Sequence, residues 1–189
     1  MKEIRWHGRG GQGAKTISRL LALAQMDGGW YVQAFPEYGP ERSGAPMSAY
    51  NRSDSRPIRL HCGVTRPHYV IVLDESLLEE VDVLDGLQKE GFLMVNSARK
   101  PEEIAKKLGF DGPIYTIDGD RIAREQGIGF ANVVLVGGVA KALGEPAVED
   151  VKQAASEMFG AKLSEEVLQL NMNAIEAGYK AIRTNGTGG

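Results

Sequence analysis

The residues best suited to chemistry lie in one stretch, Ile4-Arg5-Trp6-His7-Gly8-Arg9-Gly10-Gly11-Gln12-Gly13-Ala14-Lys15-Thr16. Four glycines fall within six positions, just after an apolar-alternating run and just before a helix-forming one. Glycine lets the backbone turn tightly and approach a ligand with no Cβ in the way. A helix beginning on such a loop aims unpaired N–H groups and partial positive charge into it. Lys15 and Arg9 add full charges. This is chemistry for an anion, phosphate above all. A second loop, Pro36 to Pro46, carries Arg42-Ser43-Gly44. A guanidinium, a hydroxyl and open backbone amides suit a phosphate monoester or pyrophosphate.

Two nucleotide readings compete for the first loop. Gly8-x-Gly10-x-x-Gly13 matches the dinucleotide fingerprint. That mechanism needs an acid about 20 residues on, at the end of the second strand, for the ribose. Here that strand ends Gln33-Ala34-Phe35-Pro36, and the first acid, Glu37, is already in the next loop. Gly8-x-x-x-x-Gly13 with Lys15-Thr16 approaches the P-loop of nucleotide triphosphatases, and Asp74 could hold magnesium. Ala14 is one residue too many, however, and turns Lys15 by about 100° on a helix. A ligand-free alternative, tight strand-to-helix packing, is weakened by the lysine and arginines nearby.

The other reactive side chains predict structure. His7 reads as a histidine satisfied by backbone. His61 and His68 flank Cys62 without metal-ligand spacing, so no metal is assigned. Cys62 reads as a buried structural thiol. Glu37 and Glu41 could pair catalytically, but among prolines they fit loop fixing or partner contact better. No catalytic residue is assigned.

The elements that position these loops follow from periodicity. Ile17, Leu20, Leu21 and Ala24 share a helical face, Asp27-Gly28-Gly29 ends it, and Trp30–Phe35 is strand-like. Strand, glycine turn, helix, strand predicts a βαβ unit with parallel strands. Met47–Asn51 and Pro57–His61 predict a hairpin across Arg52–Ser55. Tyr69–Asp74 has a buried-strand pattern, with a helix expected over 75–87 and strands at Phe92–Asn96 and Ile114–Ile117. Pro101-Glu102-Glu103 opens a helix, and Asp118 is a candidate N-cap. Asn132–Leu143, apolar with Gly137-Gly138 inside, predicts a buried helix packed closely on a neighbour. Amphipathic helices at 147–159 and 164–183 follow. The sum is an α/β class fold: a single three-layer α/β/α domain over 1–183. It has a mostly parallel mixed sheet with one hairpin, C-terminal helices, and a flexible tail at 184–189.

The whole chain narrows the function classes. Its 189 residues suffice for a sizeable core, with 42% hydrophobic and 25% charged residues. A net charge of −3 argues against nucleic acid as a partner. One cysteine excludes an internal disulfide framework and a four-thiolate cluster made by this chain alone. No run approaches the roughly 18 apolar residues of a membrane span, and no apolar leader precedes the first strand, so a cytoplasmic protein without membrane contact is expected.

Together, His7–Gly13, then Phe35-Pro36-Glu37-Tyr38-Gly39-Pro40-Glu41-Arg42-Ser43-Gly44-Ala45-Pro46, then Tyr69-Val70-Ile71-Val72-Leu73-Asp74-Glu75, resemble the gamma subunit of 2-oxoacid:ferredoxin oxidoreductases. The likeness runs from Glu3 to about Tyr179, and the Phe-Pro-Glu-Tyr-Gly-Pro-Glu-Arg version is most similar to the pyruvate type. The resemblance implies a complex that converts a 2-oxoacid and CoA to acyl-CoA, CO2 and reduced ferredoxin. Thiamine diphosphate, Mg2+ and iron–sulfur clusters would sit on partner chains: thiamine-binding, 2-oxoacid-binding and ferredoxin-like subunits, with ferredoxin as acceptor. It further implies coenzyme A as the guest of this chain. Its phosphates would be received by Gly8, Arg9, Gly10, Gly11, Gln12, Gly13, Lys15, Thr16, Arg42, Ser43, Gly44 and Asn132. Glu37, Tyr38 and Glu41 would face partners. The isolated chain is expected to be inactive.

Overall fold

The computed structural model describes residues 1–37 and 43–186. The glycine-rich stretch joins strand β1 (Lys2–Arg9) to helix α1 (Ala14–Asp27). Then come β2 (Tyr31–Pro36), β3 (Pro46–Asp54) and β4 (Tyr69–Val72). The one-turn α2 (Leu77–Glu80), β5 (Phe92–Asn96), α3 (Pro101–Leu108) and β6 (Ile114–Ile117) follow. Four helices, α4 (Gly119–Glu125), α5 (Asn132–Leu143), α6 (Val148–Phe159) and α7 (Glu165–Ala181), lead to β7 (Arg183–Thr184).

Among the described residues the strands form one sheet, ordered β2-β3-β1-β4-β5-β6-β7. β1, β4, β5 and β6 are successive parallel neighbours, while β3 and β7 run against theirs. Side chains alternate across it. Ile4, Trp6, Ile71 and Met94 face the core shared with α1, α5, α6 and α7. Val70, Val72, Leu93, Val95 and Ile114 face a second core with Leu77, Val83 and Ile104. This is the expected mixed α/β architecture, layered on both faces of the sheet.

Three local expectations are corrected. β2 runs the same way as β1 but is not its neighbour. β3 takes the edge of β1 over the whole register Lys2↔Ser53 to Arg9↔Pro46, and β2 pairs β3 from Tyr31↔Asp54 to Pro36↔Ala49. The hairpin is therefore β2–β3, turning through the Pro36–Pro46 loop, and residues 57–61 form no strand. That segment crosses a sheet face instead, where Leu60 O accepts from Gln33 and Gly63 O from the buried Arg52. The helix expected over 75–87 stops after one turn. Arg5 draws the carbonyls of Val83 and Asp85 to its guanidinium, and Asp82 accepts from Leu84 N. The break itself is at Val81, whose extended backbone (φ −131, ψ 137) ends the i→i+4 ladder. Last, Thr184 pairs with Tyr115 in β7, and Asn185 Oδ1 accepts from Ile114 N at 2.8 Å. The chain is anchored where a free tail was expected to start; residues 187–189 lie outside the described residues.

The helix over Asn132–Leu143 has the expected bounds and the expected close neighbour. A Cβ on Gly137 would stand 2.0 Å from Ile175 O, and one on Gly178 1.9 Å from Val134 O, so α5 and α7 touch backbone to backbone.

Candidate functional site

The chain leaves β1 toward β2 and β3 on one side and leaves β4 toward β5 on the other, although β1 and β4 are neighbours. In an open α/β sheet, ligands sit beyond the carboxyl ends of the strands at such a switch point. The glycine loop is there. Gly13, at φ 82, turns the chain into α1 and stands as its N-cap. A Cβ on it would meet Asn132 Nδ2 at 2.4 Å.

The start of α1 has no side-chain cap and no acid in its first turn. Ile17 N bonds Gly13 O, and the amides before it have no helical carbonyl to pair with. Lys15 is exposed and has no ion pair among the described residues; Thr16 is half-buried. The head of α5 closes in from the side: Asn132 Nδ2 donates to Gln12 O at 3.4 Å, while its Oδ1 accepts from Val133 N. α5 likewise begins without a side-chain cap or an acid.

The structure brings the second loop to the first. Gly10 N donates to Ala45 O at 2.9 Å, and Gly44 N donates to Gly10 O at 3.0 Å. Ser43, exposed, adjoins this junction. Arg42, Tyr38 and Glu41 lie outside the described residues.

Two residues expected at a phosphate already have partners. Arg9 donates from Nε to Asp74 Oδ2 at 3.1 Å, from NH2 to Ser76 Oγ at 2.6 Å, and from NH1 to Gly44 O at 3.2 Å. It also pairs with Glu80, whose hydrogen bond heads the causes that raise the guanidinium pKa. Gln12 Oε1 accepts from Arg9 N at 2.8 Å, and its Nε2 donates to Asp74 Oδ2 at 2.9 Å. Their side chains shape the loop. Asp74 is thus more than the acidic end of a strand. Burial would raise its pKa, but hydrogen bonds from Ser76 and Gln12 outweigh that and hold it below the usual carboxylate value. Sequence reasoning missed this role, which requires knowing that β1 and β4 are neighbours.

His7, in the last turn of strand before the loop, is buried, and its Nε2 accepts from Arg5 Nε at 3.0 Å. The partner is a side chain, not the backbone expected. Burial first, and the Arg5 charge second, push its pKa down to about 4, so the ring is neutral at physiological pH. Cys62 is exposed, a correction to the buried thiol expected. Glu37 accepts from Tyr50 Oη at 2.5 Å, and burial together with this bond pushes the phenol up to about 12. That contact ties down the root of the Pro36–Pro46 loop.

With this geometry in hand, comparison with known proteins defines the class. Residues 3–181 match the family model described as pyruvate ferredoxin/flavodoxin oxidoreductase. The chain belongs to that family. Pyruvate synthase subunit PorC of Thermotoga maritima is 42% identical over 182 residues, 96% of this chain and 94% of the relative. The pyruvate/ketoisovalerate oxidoreductases common subunit gamma of Thermococcus kodakarensis is 45% identical over 168 residues, 88% and 91% of the two chains. The crystal structure of the Thermotoga maritima subunit superposes with a TM-score of 0.86 at 38% identity, covering 98% of each chain. The resemblance to gamma subunits therefore stands, and the chain is a subunit of an oxidoreductase whose partners are the other subunits of the complex. Among the described residues no helix is long and apolar enough to cross a membrane.

Proposed function

We propose that this chain is the gamma subunit of a pyruvate:ferredoxin oxidoreductase that receives the phosphates of coenzyme A on the glycine loop. The observation that carries the reading is the uncapped, acid-free start of α1 beside exposed Lys15, with the Ser43–Gly44 turn hydrogen-bonded to the same loop. Backbone N–H donors, a helix dipole and an ammonium without an ion pair among the described residues are a complementary set for phosphate. Arg42 and Thr16 extend it, and Asn132 braces it from α5. The chain's share of the reaction is positional. It holds the nucleotide end so that the thiol reaches an acyl group generated on another subunit, lowering the entropy of that encounter.

Thiamine diphosphate, Mg2+ and the iron–sulfur clusters belong to the partner chains on this reading, since a single cysteine cannot ligate a cluster. Pyruvate is the substrate named for the Thermotoga relative, whereas the Thermococcus subunit serves two oxoacid enzymes. A shared gamma subunit fits substrate choice made elsewhere in the complex. On the same reading Glu37, Tyr38 and Glu41 face a partner subunit, and the complex works in the cytoplasm.

The test is steady-state kinetics of the assembled complex carrying Lys15→Ala or Arg42→Ala. Loss of one charge-assisted phosphate contact raises the KM for CoA about tenfold. An unchanged KM in both variants removes CoA from this loop. One observation favours a scaffolding role instead: Arg9, the loop's other cation, is already engaged by Asp74 and Glu80. That reading requires both variants to match the parent.

A further inference from the structure

A loop built from Gly8, Gly10, Gly11 and Gly13 has unusually much backbone freedom to lose on binding a ligand, because glycine loses more than any other residue. Something must hold it in one shape beforehand, or that cost falls on affinity. The anchor lies across the switch point on the neighbouring strand's exit. Asp74 Oδ2 accepts from Gln12 Nε2 and Arg9 Nε. Its Oδ1 accepts from Ser76 N at 3.0 Å and Ser76 Oγ at 2.6 Å. With its amide nitrogen so directed, Gln12 must turn Oε1 toward Arg9 N, and its carbonyl meets Asn132 Nδ2. A continuous chain of contacts thus runs from the turn after β4, through the loop, to the head of α5.

We propose that Asp74 is a positioning residue for coenzyme A. It fixes the glycine loop in its ligand-ready shape through Gln12 and Arg9, without touching the ligand. The inference rests on the reading of the loop as the CoA site. A carboxylate beside a phosphate would ordinarily repel it. Here Arg9, which Asp74 shares with Glu80, and the donors from Gln12 and Ser76 engage both oxygens of the acid within the loop's own network.

The test uses the assembled complex and three changes: Asp74→Asn, the conservative Asp74→Glu, and Lys15→Ala. Asp74→Asn is expected to raise the KM for CoA about tenfold. The kcat at saturating CoA, the KM for the 2-oxoacid and the melting temperature stay near parental values. Asp74→Glu keeps a carboxylate able to accept from both Gln12 Nε2 and Arg9 Nε, and it holds the KM within about threefold of parental. A general structural lesion would not be rescued this way, nor confined to one substrate. A KM for CoA within twofold of parental in Asp74→Asn, or a fall in kcat with that KM unchanged, overturns the proposal. Should that variant fail to assemble, Gln12→Ala breaks the same contact from the other side, and an unchanged KM there overturns it equally. If Lys15→Ala and Arg42→Ala also leave the KM unchanged, the CoA reading itself has failed. If Lys15→Ala raises it and Asp74→Asn does not, only the positioning role is lost.

Discussion

At the scale of single residues, the neighbourhood of the loop is set by groups whose own needs are met inside the protein. His7 is the sharpest case. Its pKa of about 4 lies below the ordinary 6.5, so the folded state binds fewer protons than the unfolded state between these values. The stabilisation is therefore present above about pH 6.5 and lost as pH falls toward 4. Chemical denaturation of the parent should show roughly 1–2 kcal/mol less stability at pH 5 than at pH 7.5 from this group. His68, also depressed by burial, contributes in the same direction, so the difference between the parent and His7→Gln isolates the effect. An equal pH dependence in both proteins would refute it. Gly13 makes the other residue-level demand. Gly13→Ala puts a Cβ at φ 82 against the Asn132 amide and should cost roughly 1–2 kcal/mol, read from the urea midpoint.

At the scale of elements, the site is framed by contacts that tolerate no extra atom. α5 holds its N-terminus at the loop with its first half, at Val134 and Gly137, pressed against α7. Gly178→Ala must drive the α7 backbone away from Val134 O and should lower stability by roughly 1–3 kcal/mol in thermal unfolding. A fully parental melting temperature would mean that the helices can separate freely. The β2–β3 hairpin plays the matching part on the other side. Its full-length pairing with β1 delivers Ser43–Ala45 to Gly10, which joins the two loops. The strands themselves were legible in Trp30–Phe35 and Met47–Asn51. Their order was not, because strand propensity records a fit to a pleated surface and says nothing of which edge is filled. The short α2 was hidden for a similar reason. Its apolar spacing suits a helix, yet Val81 is extended and the carbonyls of Val83 and Asp85 beyond it turn to Arg5 from a distant strand.

At the scale of the whole molecule, β7 closes the far edge of the sheet. Ending the chain after Ile182 removes the Thr184↔Tyr115 and Thr116↔Arg183 pairs, the Asn185 contact, and the Arg183 bonds to Ser97 O and Ala98 O. The truncated chain should melt several degrees lower and aggregate more readily, because β6 becomes an unprotected edge. Light scattering during heating would check both. The proposed binding of CoA by the intact complex is the second whole-molecule property. It rests on exposed charge and a helix terminus, so the KM for CoA should rise several-fold between about 0.05 and 0.5 M monovalent salt. A salt-independent KM would contradict an electrostatic site.

Much was readable in the residues alone: the mixed α/β class, the glycine loop between strand and helix, the bounds of Asn132–Leu143, and kinship with the gamma subunits. Each is a local or compositional property. Periodicity marks an amphipathic face, glycine density marks a backbone demand, and two loop motifs in order mark a family. What only the folded chain decided is which distant groups share the loop. The insertion of β3 beside β1 brings Gly44 to Gly10, and the pairing of β4 with β1 sets Asp74 under Gln12 and Arg9. The arginine read as a ligand for phosphate turns out to be bound by two carboxylates. Lys15, six residues further on in the first turn of α1, keeps its charge exposed. Hydrogen bonds act over about 3 Å, and 62 residues of sequence between Gln12 and Asp74 carry no record of that closeness until the sheet has formed.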